Sequence, residues 1–293
     1  MSTNIGWVGT GVMGAPMAGH LQAAGHKLYV YNRTVAKAQV LVDAGAVLCE
    51  SPREVARQSE FVFSIVGYPV DVESTYLSTD GILAGAKAGS VVIDMTTSEP
   101  ALAKRICKVA GRQGVDVLDA PVSGGDIGAR NAALAIMVGG EQSVFDRVKP
   151  LFQCMGKNIA YMGPAGAGQN TKMSNQILIA GTMIGTVESL LYAHRSGLNL
   201  EEVIAVIGSG AASSWSINNL GPRIVKGDFD PGFYIKHFVK DMGIALAEAK
   251  AMRLALPGLA LVNQFYQAAI AQGLEDLGTQ GLYKVLERLS SAL

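Results

Sequence analysis

The stretch NIGWVGTGVMGAPMAGHL, residues 4–21, decides the fold. A short apolar run ends at Gly9, glycines follow at Gly11 and Gly14, and a helical pattern opens immediately afterwards. The spacing G-x-G-x-x-G is weak by itself, but between a strand and a helix it is a dinucleotide-binding fingerprint. Gly9 serves the tight turn, Gly11 lets a pyrophosphate approach bare backbone, and Gly14 lets helix and strand pack closely; Thr10, Val12 and Met13 complete the loop. The phosphate charge then rests on free N–H groups at the helix start.

Working outward, β-branched runs alternate with helical stretches: 4–9, 27–32, 60–67, 90–95, 115–121 and 134–140. Such alternation predicts a parallel, doubly wound sheet. Strand signals stop after Gly163, and long helical patterns take over at 171–196, 200–208, 237–252, 257–273 and 279–290. The expected fold class is α/β: a Rossmann-type doubly wound sheet over 1–164, then an all-α domain over 165–293, joined by a long interdomain helix. GPAGAG (163–168) reads as the hinge.

The second strand should end in an acid where a ribose 2′-hydroxyl is bound. It ends instead in Asn32-Arg33-Thr34. Arg33 is able to stack on adenine and pair with a 2′-phosphate, with Asn32 and Thr34 donating hydrogen bonds, which favours NADP(H) and leaves NAD(H) possible. A solvated Arg33 and a Thr34 that only caps the next helix is the competing reading.

A nicotinamide cofactor implies hydride transfer, so a proton donor is needed nearby. His20, His26, His194 and His237 are poorly placed for it, and no H-E-x-x-H or G-x-S-x-G is present. Lys172 remains. Residues 163–176 read GPAGAGQNTKMSNQ, which puts Lys172, Asn175 and Gln176 on one helical face at i, i+3 and i+4. A lysine with a free pKa near ~10.4 is already protonated at neutral pH and would protonate an alkoxide. From the residues alone, a lysine snorkelling from a helix end stands beside that reading. Ser123-Gly124-Gly125 follows a strand, so consecutive N–H groups beside small side chains form either a carboxylate-binding nest or an ordinary glycine turn.

Five ordered stretches together resemble the β-hydroxyacid dehydrogenase family: GTGVMGAPMAGHL, DMTTSEP (94–100), DAPVSGG (119–125), GAGQNTKMSNQ (166–176) and FYIKHFVKDM (233–242). The family holds 3-hydroxyisobutyrate dehydrogenase, tartronate semialdehyde reductase and glyoxylate/succinic semialdehyde reductases. The resemblance implies that Lys172 is the catalytic lysine and that Ser123, Gly124 and Gly125 bind the substrate carboxylate. Thr96 and Val66 would lie along the nicotinamide and its ribose, and Lys240 would reach the cofactor. Asn175, Gln176, Phe233 and Asp241 would line the substrate cleft. One departure stands out: many members read K-x-x-N-N, whereas this chain has Gln176 at the last position, as tartronate semialdehyde reductases do.

The expected activity is therefore reversible oxidation of a small 3-hydroxy or ω-hydroxy acid to its aldehyde or keto acid. The alternatives are an imine reductase-like enzyme, against which Lys172 counts, and a non-catalytic dinucleotide-binding scaffold. Trp215 either shapes the pocket or packs a helix. The family further implies a homodimer or homotetramer.

Composition fits this picture. Lys and Arg (24) balance Asp and Glu (24), with no charged tail, so neither nucleic acid nor an anionic membrane surface is indicated as a partner. Three scattered cysteines suit reduced thiols rather than a disulfide framework or metal site. No basic leader or long uninterrupted apolar run is evident, and a cytoplasmic enzyme is expected.

Overall fold

The computed structural model describes residues 2–291. Among these there are nine strands: β1 Asn4–Val8, β2 Lys27–Tyr31, β3 Val47–Leu48, β4 Phe61–Ser64, β5 Val91–Asp94, β6 Asp116–Asp119, β7 Val122–Ser123, β8 Leu134–Gly140 and β9 Gly156–Gly163. They form one sheet in the order β3-β2-β1-β4-β5-β6-β8-β7, with β9 also paired to β8. The order reverses between β1 and β4, which is the switch point where doubly wound sheets open a crevice.

Alternation along each central strand feeds two cores. Ile5 and Trp7, Phe61 and Phe63, and Val91 and Ile93 face one side with helices Gly14–Ala23 and Gln142–Phe152. Val8, Val62 and Val92 face the other with helices Pro52–Gln58, Pro69–Leu77 and Pro100–Gly111. Strands buried on both faces need near-continuous apolar sequence, which is what β4 and β5 have. Trp7 stacks on Phe63 at 5.5 Å, and Phe63 meets Phe152 edge to face at 6.1 Å. Each fully buried side chain of this size contributes roughly 1.5–3 kcal/mol relative to exposure.

The sheet is not parallel throughout. β8 runs antiparallel to β6 and β7, and β9 then pairs parallel to β8. β9 was not expected from the sequence. GKNIAYMG has exposed Lys157, Asn158 and Met162 and half-covered Ile159, Ala160 and Tyr161, because an edge strand needs no apolar run.

The chain divides into two compact units, residues 1–172 and 173–293. The first runs past the expected boundary at 164 because the helix Ala167–Arg195 begins earlier than residue 171 and its opening turns pack on the sheet. GPAGAG, expected to be a hinge, is tied down at its end: the Gly166 N–H donates to Asp119 Oδ1 at 2.7 Å.

The second unit is helical, with Leu200–Ile207, Gly221–Val225, Ile235–Ala251, Pro257–Ala271 and Leu282–Ser291 after the long helix. Asn199 starts one of them by accepting from the Glu201 and Glu202 N–H groups. Met173, Ala180, Met183, Val187 and Leu190 from the long helix join Phe238, Met242 and Tyr266 in its core. By length and composition alone that 29-residue helix is apolar enough to cross a membrane. Its inward stripe is committed to this core.

Candidate active site

The C-terminal ends of β2, β1, β4 and β5 carry a hydrogen-bonded row of loops. Gly9 N–H donates to Tyr31 O, Thr10 N–H to Asn32 Oδ1 (2.9 Å) and Val66 N–H to Thr96 Oγ1 (3.0 Å). The three glycines answer to different neighbours. Gly9 has φ +96°, and a Cβ there would collide with the Ile65 carbonyl. A Cβ at Gly14 would collide with the Gly9 carbonyl and reach 2.9 Å from Ile65 Cγ2. At Gly11 a Cβ would meet no protein atom within 4 Å. Protein packing therefore explains Gly9 and Gly14 but not Gly11, whose bare backbone suits a close-lying pyrophosphate. Thr10 is buried, Val12 is exposed, and Met13 precedes the helix Gly14–Ala23.

At the end of β2, Asn32 is occupied at both ends, with Oδ1 on Thr10 N–H and Nδ2 donating to the Thr34 carbonyl (2.8 Å). It shapes the loop, where sequence reasoning had it donating to a phosphate. The Thr34 side chain makes no capping bond. Arg33 is 88% exposed and its guanidinium lies 3.5 Å from Asp71, an acid that sequence reasoning missed because it comes from the start of the helix Pro69–Leu77.

Thr96 is fixed from below. Its N–H donates to Asp94 Oδ1 (3.0 Å), and the same oxygen accepts from Ser64 Oγ (3.2 Å), which bonds the buried Tyr76 hydroxyl (2.8 Å). Burial raises the Asp94 carboxyl to about 6, against bonds from Thr96 and Ser64 that lower it. A carboxyl raised on folding favours the folded state most below its ordinary value near 3.8, and that advantage is lost as pH rises through about 6. The expected result is that Asp94→Asn, which keeps an acceptor but cannot ionise, shrinks the loss of stability between pH 4 and pH 8. Denaturant unfolding of both proteins at the two pH values measures it, and equal losses would refute the assignment.

Ser123 ends β7, and Gly124 and Gly125 follow with φ +128° and +62°. Positive φ at both positions is the reason glycine stands at each. Lys172 is 6% exposed, one turn beyond Gln169, whose side chain is bonded to the Thr96 turn. It is a buried lysine, not one reaching from a helix end into solvent.

In the helical unit, Asn175 Nδ2 donates to Gln176 Oε1 (2.7 Å), Gln176 Nε2 donates to Asp241 Oδ2 (2.6 Å), and Lys240 Nζ lies 3.0 Å from Asp241 Oδ1. Gln176 and Asp241 are 1% exposed. The Gln176 amide, expected to face a substrate, is thus bonded at both ends, its oxygen to Asn175 and its nitrogen to Asp241. Phe233 packs edge to face on Phe238 at 5.8 Å, and Trp215 is 65% exposed.

Residues 4–163 match the family model described as the NAD binding domain of 6-phosphogluconate dehydrogenase, and residues 166–286 match NAD-binding of NADP-dependent 3-hydroxyisobutyrate dehydrogenase. A probable 3-hydroxyisobutyrate dehydrogenase-like protein of Arabidopsis thaliana is 53% identical over 99% of this chain and 87% of its own length. The 2-hydroxy-3-oxopropionate reductase of Escherichia coli is 38% identical over 98% of both. The solved 3-hydroxyisobutyrate dehydrogenase of Mycobacterium tuberculosis with L-serine superposes with a TM-score of 0.89 at 30% identity, over 98% of this chain and 99% of that one.

With these relatives, the fold belongs to an oxidoreductase that uses a nicotinamide dinucleotide and acts on CH–OH groups. The chain belongs to the β-hydroxyacid dehydrogenase family and is 3-hydroxyisobutyrate dehydrogenase-like.

Proposed function

We propose that this protein is a cytoplasmic, NADP-preferring reductase of small aldehyde acids, reversible as a β-hydroxyacid dehydrogenase, with Lys172 moving the proton. The observation that carries this reading is a lysine 6% exposed, one helical turn from the side chain that grips Thr96. The bound nicotinamide would supply or take the hydride. Gly9 to Gly14 would hold the pyrophosphate on backbone N–H groups, with Val66 and Thr96 flanking the nicotinamide end. Ser123, Gly124 and Gly125 would take the substrate carboxylate, and Lys172 would protonate the developing alkoxide, or accept the proton in oxidation.

The family pattern would give Lys240 a role in holding the cofactor, and Asn175, Gln176, Phe233 and Asp241 roles in holding the substrate. The Gln176–Asp241 bond supports a fixed polar surface there. Among substrates, 2-hydroxy-3-oxopropionate (tartronate semialdehyde) is favoured by Gln176 and by the E. coli relative's activity. A homodimer or homotetramer fits the exposed Leu178 and Tyr192 of the long helix. NADPH and NADH consumption across glyoxylate, succinic semialdehyde, methylmalonate semialdehyde and 2-hydroxy-3-oxopropionate tests the reading; NADPH binding without turnover of any would count against it.

Cofactor choice has its own test. Arg33 would pair with a 2′-phosphate, and a charge-assisted bond contributes about 1.5–3 kcal/mol. Arg33→Ala is expected to lower the NADPH-over-NADH ratio of kcat/KM by about tenfold or more, the lower end of that range. An unchanged ratio would show that Arg33 is only a solvated charge paired with Asp71.

A further inference from the structure

We infer that Gln169 and Asp119 are positioning residues that set Lys172 against the Thr96 turn; the inference rests on the reading of Lys172 as the proton-transfer group. Every contact involved lies within the first unit.

Gln169 is fully buried and bonded in three directions. Its Oε1 accepts from the Ser98 N–H at 2.9 Å, its Nε2 donates to the Thr96 carbonyl at 2.7 Å, and its own N–H donates to Asp119 Oδ2 at 2.9 Å. One glutamine thereby closes both ends of the turn Thr96–Ser98, and it does so from the helix that carries Lys172 three residues later. At that spacing the two side chains share a helical face.

Asp119, at the end of β6, holds the other side. Its Oδ1 accepts from Gly166 N–H and its Oδ2 from Gln169 N–H, so a strand carboxylate caps the start of the helix Ala167–Arg195. Burial raises its pKa while these amides pull it back down.

An independent observation shows how closely the helix is seated. A Cβ at Gly168 would collide with the Asp119 and Met137 carbonyls, and a Cβ at Gly139 would come within 2.6 Å of Asp119 Oδ1 and 2.7 Å of Gly168 N. The helix start thus meets the ends of β6 and β8 with no side chain between them, so its axial register has no slack. Since the Thr96 turn is itself bonded to Asp94 and Val66, Lys172 is referenced to the same loops that form the dinucleotide cradle.

A displacement near 1 Å at a reacting group costs about a hundredfold in rate. Gln169→Met keeps the volume and removes both side-chain bonds. Its kcat in the four-substrate NADPH assay is expected to fall at least tenfold, with the NADPH dissociation constant within threefold of wild type. Two readouts need no substrate: the Ser98 amide should exchange with solvent at least tenfold faster, and Lys172 should be acylated faster by a lysine-selective reagent. Unchanged Lys172 labelling together with a faster Ser98 amide would overturn the inference, as would equal losses of kcat and of cofactor affinity. If Gln169→Met does not fold, Asp119→Asn and Asp119→Ala decide, by the same labelling. Asparagine, which retains one acceptor, should restore Lys172 protection in part, and wild-type protection in both variants overturns the inference. Turnover retained by Lys172→Ala would instead overturn the proton-transfer reading, and the exchange and labelling results stand apart from it.

Discussion

Lys172→Ala is expected to lower kcat by about 10²–10⁴, the usual contribution of a positioned general acid or base. The dissociation constant for NADPH should stay nearly unchanged, because the proposed cofactor cradle is built from loops after β1, β2, β4 and β5, held by bonds such as those of Thr10 N–H to Asn32 and Val66 N–H to Thr96. Fluorescence titration and steady-state kinetics on the same preparation separate the two quantities. Turnover surviving at more than about a tenth of the wild-type rate would assign the proton to another group or to water.

The second large effect contrasts two glycines three residues apart. Gly11→Val should leave stability almost unaltered, since its Cβ has open space around it. The same side chain should weaken NADPH binding by about a hundredfold or more, about 2.7 kcal/mol, by standing where the pyrophosphate must lie. Gly14→Val should do the reverse in order of cause. Its side chain strikes the Gly9 carbonyl and Ile65, so unfolding becomes easier by about 1–3 kcal/mol and cofactor binding fails secondarily. Thermal unfolding beside NADPH titration distinguishes them. A Gly11→Val protein that binds NADPH normally would remove the argument that a ligand requires that glycine.

Most of the framework was legible because it is written in local patterns. Gly9, Gly11 and Gly14 sit in a strand–turn–helix context, and β4 and β5 are short apolar runs that only a strand buried on both faces needs. The family motifs pointed to Lys172, Ser123 and Thr96 as candidates by position in the chain. What escaped were residues whose meaning lies in distant partners. Asp119 looks like one letter of a substrate-loop motif until its carboxylate is seen 47 positions away on Gly166. Gln169 looks like a polar residue in a helix start until it is found on Thr96 and Ser98. Asp71 meets Arg33 across two separate βα loops, and β9 is hidden because edge strands carry mixed sequence. Gln176 was read as facing substrate because its motif position says so, and its bond to Asp241 spans 65 residues.

The two tryptophans of this chain sit in opposite surroundings, one in each unit. Trp7 has no solvent exposure, lies on Phe63, and its indole N–H donates to the Gly9 carbonyl at 2.9 Å, at the glycine turn itself. Trp215 is open to water. Their emission therefore separates by wavelength and by access to a soluble quencher, giving each half of the molecule its own optical signal. A chain with no label attached can report which half melts first, and a single Trp215→Phe change leaves the indole that bonds the Gly9 carbonyl, in the loop proposed to meet the dinucleotide.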